Sequence, residues 1–152
     1  MALKICELTS IVLSALVAGM FLGPWVALTR SIGSFELEVL LTLVRRLNRN
    51  MAPVMTVLMP AALLSQVTVL FFSHGDRPQT FYLASAAFVL FLVALFVTTA
   101  VEVPIVKRIE IWTVSTRPED WQQVRDRWGA FHLVRIVASL GGFILLVTGA
   151  IF

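Results

Sequence analysis

The residues with the clearest chemical potential form one regular stripe near the end of the chain. Alternating spacings of four and three residues keep the stripe on a single face of an α-helix. Its members are Trp121, Arg125, Trp128, His132, Arg135, Ser139 and Gly142. His132 offers the one side chain that titrates near neutral pH without perturbation, and Arg135 places a fixed cation one turn away. Because lipid is a poor environment for such a pair, we expect the stripe to face other helices or a wet cavity.

A carboxylate precedes this stripe at the end of a long apolar run. Glu102 lies two residues before Pro104, and the missing proline N–H frees the carbonyl of Ala100 from its helical hydrogen bond. Two interpretations of Glu102 remain open from the sequence. It lies in the headgroup region, paired with a Lys or Arg, or it faces the protein interior, where an intramembrane acid is expected to be functional.

Long apolar runs must position these side chains. Hydrophobic residues make up 59% of the 152-residue chain and charged residues only 14%, more apolar surface than one soluble core of this size can bury. Backbone polar groups in hydrocarbon must pair within the segment, so runs of this length are predicted to be helices. We predict an all-α integral membrane four-helix bundle, a single domain over residues 1–152. The predicted spans are about 8–29, 51–73, 78–103 and 129–152.

Positive charge is concentrated in two connections, about 30–50 and 104–128, which hold nine of the twelve Lys and Arg residues. By the positive-inside rule these connections are cytoplasmic and both termini face outward. We therefore expect a multi-pass protein of a bacterial inner membrane, with amphipathic or extended helical segments on the cytoplasmic side. Contact between these basic residues and anionic lipid headgroups explains the net charge of +3 without a nucleic-acid partner.

Both connections also carry helix signals. Apolar residues from Leu37 to Leu47 share one face, which predicts an amphipathic helix at the interface or an inward extension of the second span. The stretch from Thr116 to Glu119 matches a capping box with an early proline, so the last helix is predicted to begin there. Trp112 is interpreted as an interfacial anchor.

Small residues recur along the first span at a spacing of four. Ala15, Gly19 and Gly23 form one such face, and Ser14 with Ala18 form a second on a neighbouring side. Faces of this kind let helix backbones approach closely, which is how spans associate when lipid supplies no hydrophobic drive between them. We expect packing inside the bundle, with homo-oligomerisation through these faces as the alternative.

Several short motifs in the second half of the chain resemble a family of small integral membrane proteins related to the anthrone oxygenases of polyketide pathways. The motifs are VEVPI at 101–105, Trp112-Thr113, PEDW at 118–121, RDRW at 125–128 and FHLVR at 131–135. Asn48-Arg49 with Met51 and Pro53 also resembles the segment before the second span of that family. The resemblance covers nearly the whole chain. It departs from the family at Val106-Lys107-Arg108, where many relatives carry Asn or Asp with Asn.

The resemblance implies an oxygenase that needs no metal, flavin or other cofactor. An acidic, lipophilic aromatic substrate such as an anthrone would lose a proton, and its carbanion would reduce O2 directly in a dry pocket. His132 would be the base and Arg135 would hold the oxyanion, while Glu102 would orient a partner or receive a proton. The residues predicted to bind the substrate are Trp112, Trp128 and Arg125.

Other interpretations use the same residues. Each marked side chain also has an ordinary role in membrane proteins, such as a snorkelling Arg or a Trp at the lipid interface. The chain is therefore also consistent with a non-enzymatic membrane scaffold or accessory subunit that binds a protein partner. A third interpretation is a metal or haem site that uses His132, Glu102 and Glu36. A transporter is disfavoured because the sequence shows no internal repeat.

Overall fold

The computed structural model describes residues 2–75 and 77–152, and most of these residues are helical, with the longest irregular segment at 111–120. The helices are α1 (Ala2–Ala27), α2 (Leu37–Ser73), α3 (Pro78–Val97), α4 (Val103–Glu110) and α5 (Trp121–Ile151). A 3₁₀ helix (Thr29–Ser34) follows α1, and a π-helical turn (Thr98–Glu102) joins α3 to α4. No β-strand occurs in the described ranges. Within the described residues, four helical segments are long and apolar enough to cross a membrane, which confirms the predicted all-α four-helix bundle.

The second helix shows how the first connection folds. α2 is one continuous helix of 37 residues that starts at Leu37, so the amphipathic segment is an extension of the second span. Its apolar face buries Leu40, Leu41 and Val44. We call this end of the bundle, which also carries α4 and the start of α5, the basic end. The other end contains the turn between α2 and α3.

Apolar packing fills the bundle in three clusters along its length. The middle cluster includes Val17, Phe21, Met59, Phe91 and Ile136. A second cluster lies at the basic end and a third at the opposite end. In the middle, α5 approaches α3 through Gly142, where a Cβ atom would lie 2.7 Å from the Phe91 ring. The close approach of these two helices therefore depends on a residue without a side chain.

Polar contacts tie the helices together at the end opposite the basic end. Glu7 is only 4% exposed and pairs with Lys4 at 3.1 Å and with Arg77 at 3.5 Å. Thr80 in α3 donates to the carbonyl of Gly149 in α5 at 2.8 Å. These contacts place the start of α3 beside the end of α5, so α3 and α5 run antiparallel.

Of the two small-residue faces predicted on the first span, only one packs inside the bundle as expected. Gln66 in α2 donates to the hydroxyl of Ser14 at 3.1 Å, and Ser14 and Ala18 are buried as expected for a packing face. Gly19 and Gly23 are exposed, with nothing within 4 Å of an added Cβ. The prediction of internal packing is therefore right for the serine face and wrong for these two glycines.

The start of the last helix also differs from the prediction. α5 begins at Trp121, and Asp120 is its N-cap residue without a side-chain cap. The hydroxyl of Thr116 accepts the Thr113 N–H at 3.1 Å, and the Thr116 N–H donates to the Thr113 hydroxyl at 3.1 Å. The capping-box prediction is wrong because this reciprocal pair uses the threonine side chain inside a turn before the helix starts.

Candidate functional site

The site is built on the π-helical turn between α3 and α4. Such a turn holds an extra residue relative to an α-helix and is frequent at functional sites. Here the Val103 N–H bonds to the Thr98 carbonyl, five residues back. Pro104 follows directly and supplies no backbone donor, which suits a helix that is already widened. The turn leaves Glu102 facing the bundle interior, with an exposure of 3%.

Arg135 of α5 neutralises this buried carboxylate. Its Nη2 forms an ion pair with Glu102 Oε2, and its Nη1 donates to the Thr98 hydroxyl at 3.3 Å. The guanidinium also lies over the Phe21 ring of α1, 4.5 Å from the ring centroid. Because a charge inside a membrane bundle requires such compensation, the sequence alternative that places Glu102 in the protein interior is the one found.

His132 joins the pair one turn earlier on α5. Its Nε2 lies 3.1 Å from the Phe21 carbonyl oxygen. A carbonyl can only accept, so Nε2 carries the proton and Nδ1 of the neutral ring is an acceptor. Arg135 Nη2 donates to that Nδ1 at 2.5 Å, and Glu102 Oε1 lies 3.8 Å from it. The hydrogen bonds thereby assign the tautomer and direct the basic nitrogen toward the acid and the cation.

All three side chains line one cavity of about 320 Å³, which we call the site cavity. Its volume is at the lower end of the range for small-molecule sites. Thioether and apolar side chains from α1 and α2 form much of its wall, including Met20, Met51 and Met55. At the basic end its lining includes the polar residues Asn48, Lys107 and Glu110 beside apolar side chains such as Leu47 and Val106. Asn48 donates to Glu110 at 2.7 Å.

The predicted substrate-binding residues divide between the cavity and its surroundings. Trp128 lines the cavity. Trp112 is 5% exposed and packs in the basic-end cluster outside the lining, so it is a core residue and not an exposed interfacial anchor. Arg125 also lies outside the lining, where it pairs with Asp126 at 2.8 Å and stacks on Trp121 at 5.4 Å from the ring centroid.

Family comparison places this site in context. A model of the anthrone oxygenase family matches residues 46–145, which is more than half of the chain. The chain belongs to the anthrone oxygenase family. No curated protein and no solved structure matches it. In this member of the family, the matched segment contains Glu102, Trp128, His132 and Arg135.

The α1 contribution to the site lies outside the segment that the anthrone oxygenase model matches. Phe21 supplies both the carbonyl that holds His132 and the ring under Arg135, and Met20 and Pro24 line the cavity. Sequence reasoning missed these residues because nothing in their type or spacing sets them apart in an apolar span. For Thr98 the sequence offers one weak indication of a role in the site, namely a hydroxyl group close to Pro104.

The ligand set suggested for a metal or haem site, which is His132, Glu102 and Glu36, does not come together. Glu36 is exposed and does not line the cavity with His132 and Glu102. Across residues 2–75 and 77–152, no group of three His, Cys, Asp or Glu side chains is arranged to hold a metal ion. The proposed ligand set of three residues is therefore not assembled.

Proposed function

We propose that this member of the anthrone oxygenase family oxidises a lipophilic aromatic substrate with O2, using no metal or flavin. The convergence of Glu102, His132 and Arg135 on one largely apolar cavity carries the proposal. Such a cavity brings together a proton acceptor, a cation and an apolar wall that excludes water. These are the elements that deprotonation of a weak carbon acid requires.

The reaction balances without an external reductant. A methylene group activated by neighbouring rings loses a proton, and the resulting carbanion gives its electrons to O2 and bonds to it. The peroxide formed takes up the proton, and loss of one water leaves a carbonyl. In sum, CH2 and O2 become C=O and H2O. The protein therefore has to supply only proton transfer and charge stabilisation.

Proton transfer to His132 requires its Nδ1 to be free. In the structure Arg135 Nη2 occupies this nitrogen. A developing oxyanion on the substrate is a stronger acceptor for a guanidinium than a neutral imidazole is, so it draws Arg135 away and frees Nδ1. The imidazolium then faces Glu102 Oε1, which lies 3.8 Å away in the structure. Deprotonation leaves the net charge of the site unchanged, which matters in a medium of low dielectric constant.

The orientation of the protein in the membrane is part of the proposal. The connections at the basic end carry most of the Lys and Arg residues, so we place this end in the cytoplasm and both termini outside. The site cavity then lies in the cytoplasmic half of the bilayer. A lipophilic substrate dissolved in that leaflet would have a short path to it.

Anthrone oxidation by the purified protein in lipid nanodiscs tests the proposal. We expect O2 uptake with one ¹⁸O atom from ¹⁸O2 in the product carbonyl, and a loss of at least about 100-fold in kcat for His132→Ala. His74→Ala is the matched control, because this second histidine is exposed outside the cavity. Full activity of His132→Ala would remove the histidine base. Co-purification of a stable protein partner with no turnover by the wild type would favour the scaffold or accessory role instead.

A further inference from the structure

Thioether side chains are concentrated on the wall of the site cavity. Four of the five methionines lie in the described ranges, and Met20, Met51 and Met55 all line this cavity. Met51 and Met55 are four residues apart on α2, so they share one helix face, and Met20 comes from α1. These three side chains are partly exposed. Met59, one turn further along α2, is 4% exposed, packs in the middle cluster and lies outside the lining.

The thioether differs from the rest of the apolar wall in its reactivity. Its sulfur is soft and polarisable, and a peroxide oxidises it to a sulfoxide. The alkyl side chains that share the wall, such as Val44 and Leu47, have no electron pair to give. The oxidation proposed above forms a substrate peroxide in this same cavity. An oxidant and three side chains that it can modify are therefore brought to one place.

We infer that Met20, Met51 and Met55 form a site of oxidative modification, at which a lipophilic organic hydroperoxide in the cavity is reduced to its alcohol. The distal peroxide oxygen bonds to the methionine sulfur, and the O–O bond breaks. The proton of the hydroperoxide passes to the alkoxide oxygen that leaves. Sulfur loses two electrons and the peroxide gains them, so hydroperoxide and thioether become alcohol and sulfoxide without another reactant.

Two cations of the lining can assist this step. Lys107 carries an ammonium group and Arg135 a guanidinium group, and both residues line the cavity. An N–H donor stabilises the negative charge that develops on the departing alkoxide, and the effect is stronger where water is excluded. A thioether on the lipid-facing surface has no such donor beside it. We therefore expect the cavity thioethers to react faster than a more exposed thioether outside the cavity.

Oxidation at these methionines would also change the cavity itself. A sulfoxide is polar where the thioether is apolar, and a polar group covered by a lipophilic molecule loses its hydration without a compensating hydrogen bond. Oxidation of the three thioethers would thus weaken the binding of a lipophilic aromatic substrate. This regulation of the site by its own peroxide rests on the proposed function. The modification site rests on the position of the three thioethers.

Cumene hydroperoxide is a lipophilic probe that tests the site without turnover. The full-length protein in detergent micelles is treated with it, and peptide mass spectrometry follows the sulfoxide at each methionine. Val57→Met supplies the matched control, because position 57 lies on the same helix, is 71% exposed and is not part of the lining. We expect Met51 and Met55 to be oxidised at least about fivefold faster than the thioether introduced at position 57. Met59 should be the slowest, since its sulfur is buried.

A second measurement follows the fate of the peroxide. Leucine keeps nearly the volume of methionine, so the triple variant Met20→Leu/Met51→Leu/Met55→Leu should remain folded by circular dichroism. The wild type should form one cumyl alcohol for each sulfoxide. The triple variant should lose nearly all of this alcohol, because the thioethers that supply the electrons are gone.

Several results would overturn the inference. Equal or faster oxidation of the introduced thioether would show that access alone decides the rate. Unchanged alcohol formation by the triple variant, or no sulfoxide at the three methionines under conditions that oxidise free methionine, would remove the site. The probe replaces the product of turnover, so this failure is distinct from that of the proposed function. Selective oxidation without anthrone oxidation would keep the modification site and remove the oxygenase.

Discussion

Replacing Glu102 with Gln should destabilise the protein by about 3 kcal/mol, because the change leaves Arg135 buried without its counter-ion. The carboxylate is 3% exposed and the arginine 9% exposed. Removal of one partner from a buried pair costs about 3–5 kcal/mol. We expect the lower end of this range, since the guanidinium keeps the Thr98 hydroxyl and the Phe21 ring as partners.

Removal of both charges should restore much of this loss. In Glu102→Gln/Arg135→Met no buried charge remains, and neutral replacement of a buried ion pair is often tolerated. We therefore expect the double variant to be more stable than Glu102→Gln alone. Arg135→Met alone should also be strongly destabilising, because the carboxylate loses its ion-pair partner. The two single changes should thus be non-additive by a few kcal/mol, as contacting residues are.

Unfolding free energies are measured by titrating detergent-solubilised protein with sodium dodecyl sulfate while following far-ultraviolet circular dichroism. Arg108→Met serves as the control, because both side chains of its ion pair with Asp120 are about half exposed, Arg108 at 52% and Asp120 at 46%. An exposed pair contributes at most about 1 kcal/mol. If the double variant lost the full sum of the two single losses, the ion pair would contribute no coupling and the reasoning would fail.

Two further predictions, one on packing and one on a hydrogen bond, use the same titration. Gly142→Ala should cost about 1–3 kcal/mol of unfolding free energy, because its Cβ would lie 2.7 Å from the Phe91 ring. Gly19→Ala is the control and should be nearly neutral, since nothing lies within 4 Å of its added Cβ. Equal losses of stability in the two variants would contradict the close contact between α3 and α5. Thr80→Val should cost about 1 kcal/mol through loss of the 2.8 Å bond to the Gly149 carbonyl, and an unchanged midpoint would show that this bond is not stabilising.

The stripe on α5 shows what helical periodicity alone can predict. Its spacing predicted that His132 and Arg135 face the bundle, and both are buried together with Trp128 and Ser139. A repeat of four and three residues determines a common face whatever surrounds it. The sequence also drew attention to Glu102 through Pro104. Whether that acid would reach the stripe depended on how α3 and α5 pack, which no local pattern contains.

Other features depended on contacts between distant residues, and the sequence did not predict them. Glu7 precedes an apolar run and resembles a solvated terminal residue, but it is buried against Arg77, 70 positions away. The glycine spacing at Gly19 and Gly23 is the same on an inner or an outer helix face, so it could not show that this face lies outside. Thr116 offered a valid capping pattern, and a competing bond to Thr113 replaced it.

The π-helical turn gives the site an unusual dependence on chain length. An α-helix turns about 100° per residue. Deletion of one residue between Thr98 and Glu102 would therefore rotate all of α4 by about that angle relative to α3. The packing of α3 on α5 around Phe91 would survive, while Glu102 would swing away from Arg135. The presence of one residue at this point thus decides whether the four-helix bundle holds an acid, a cation and an imidazole together.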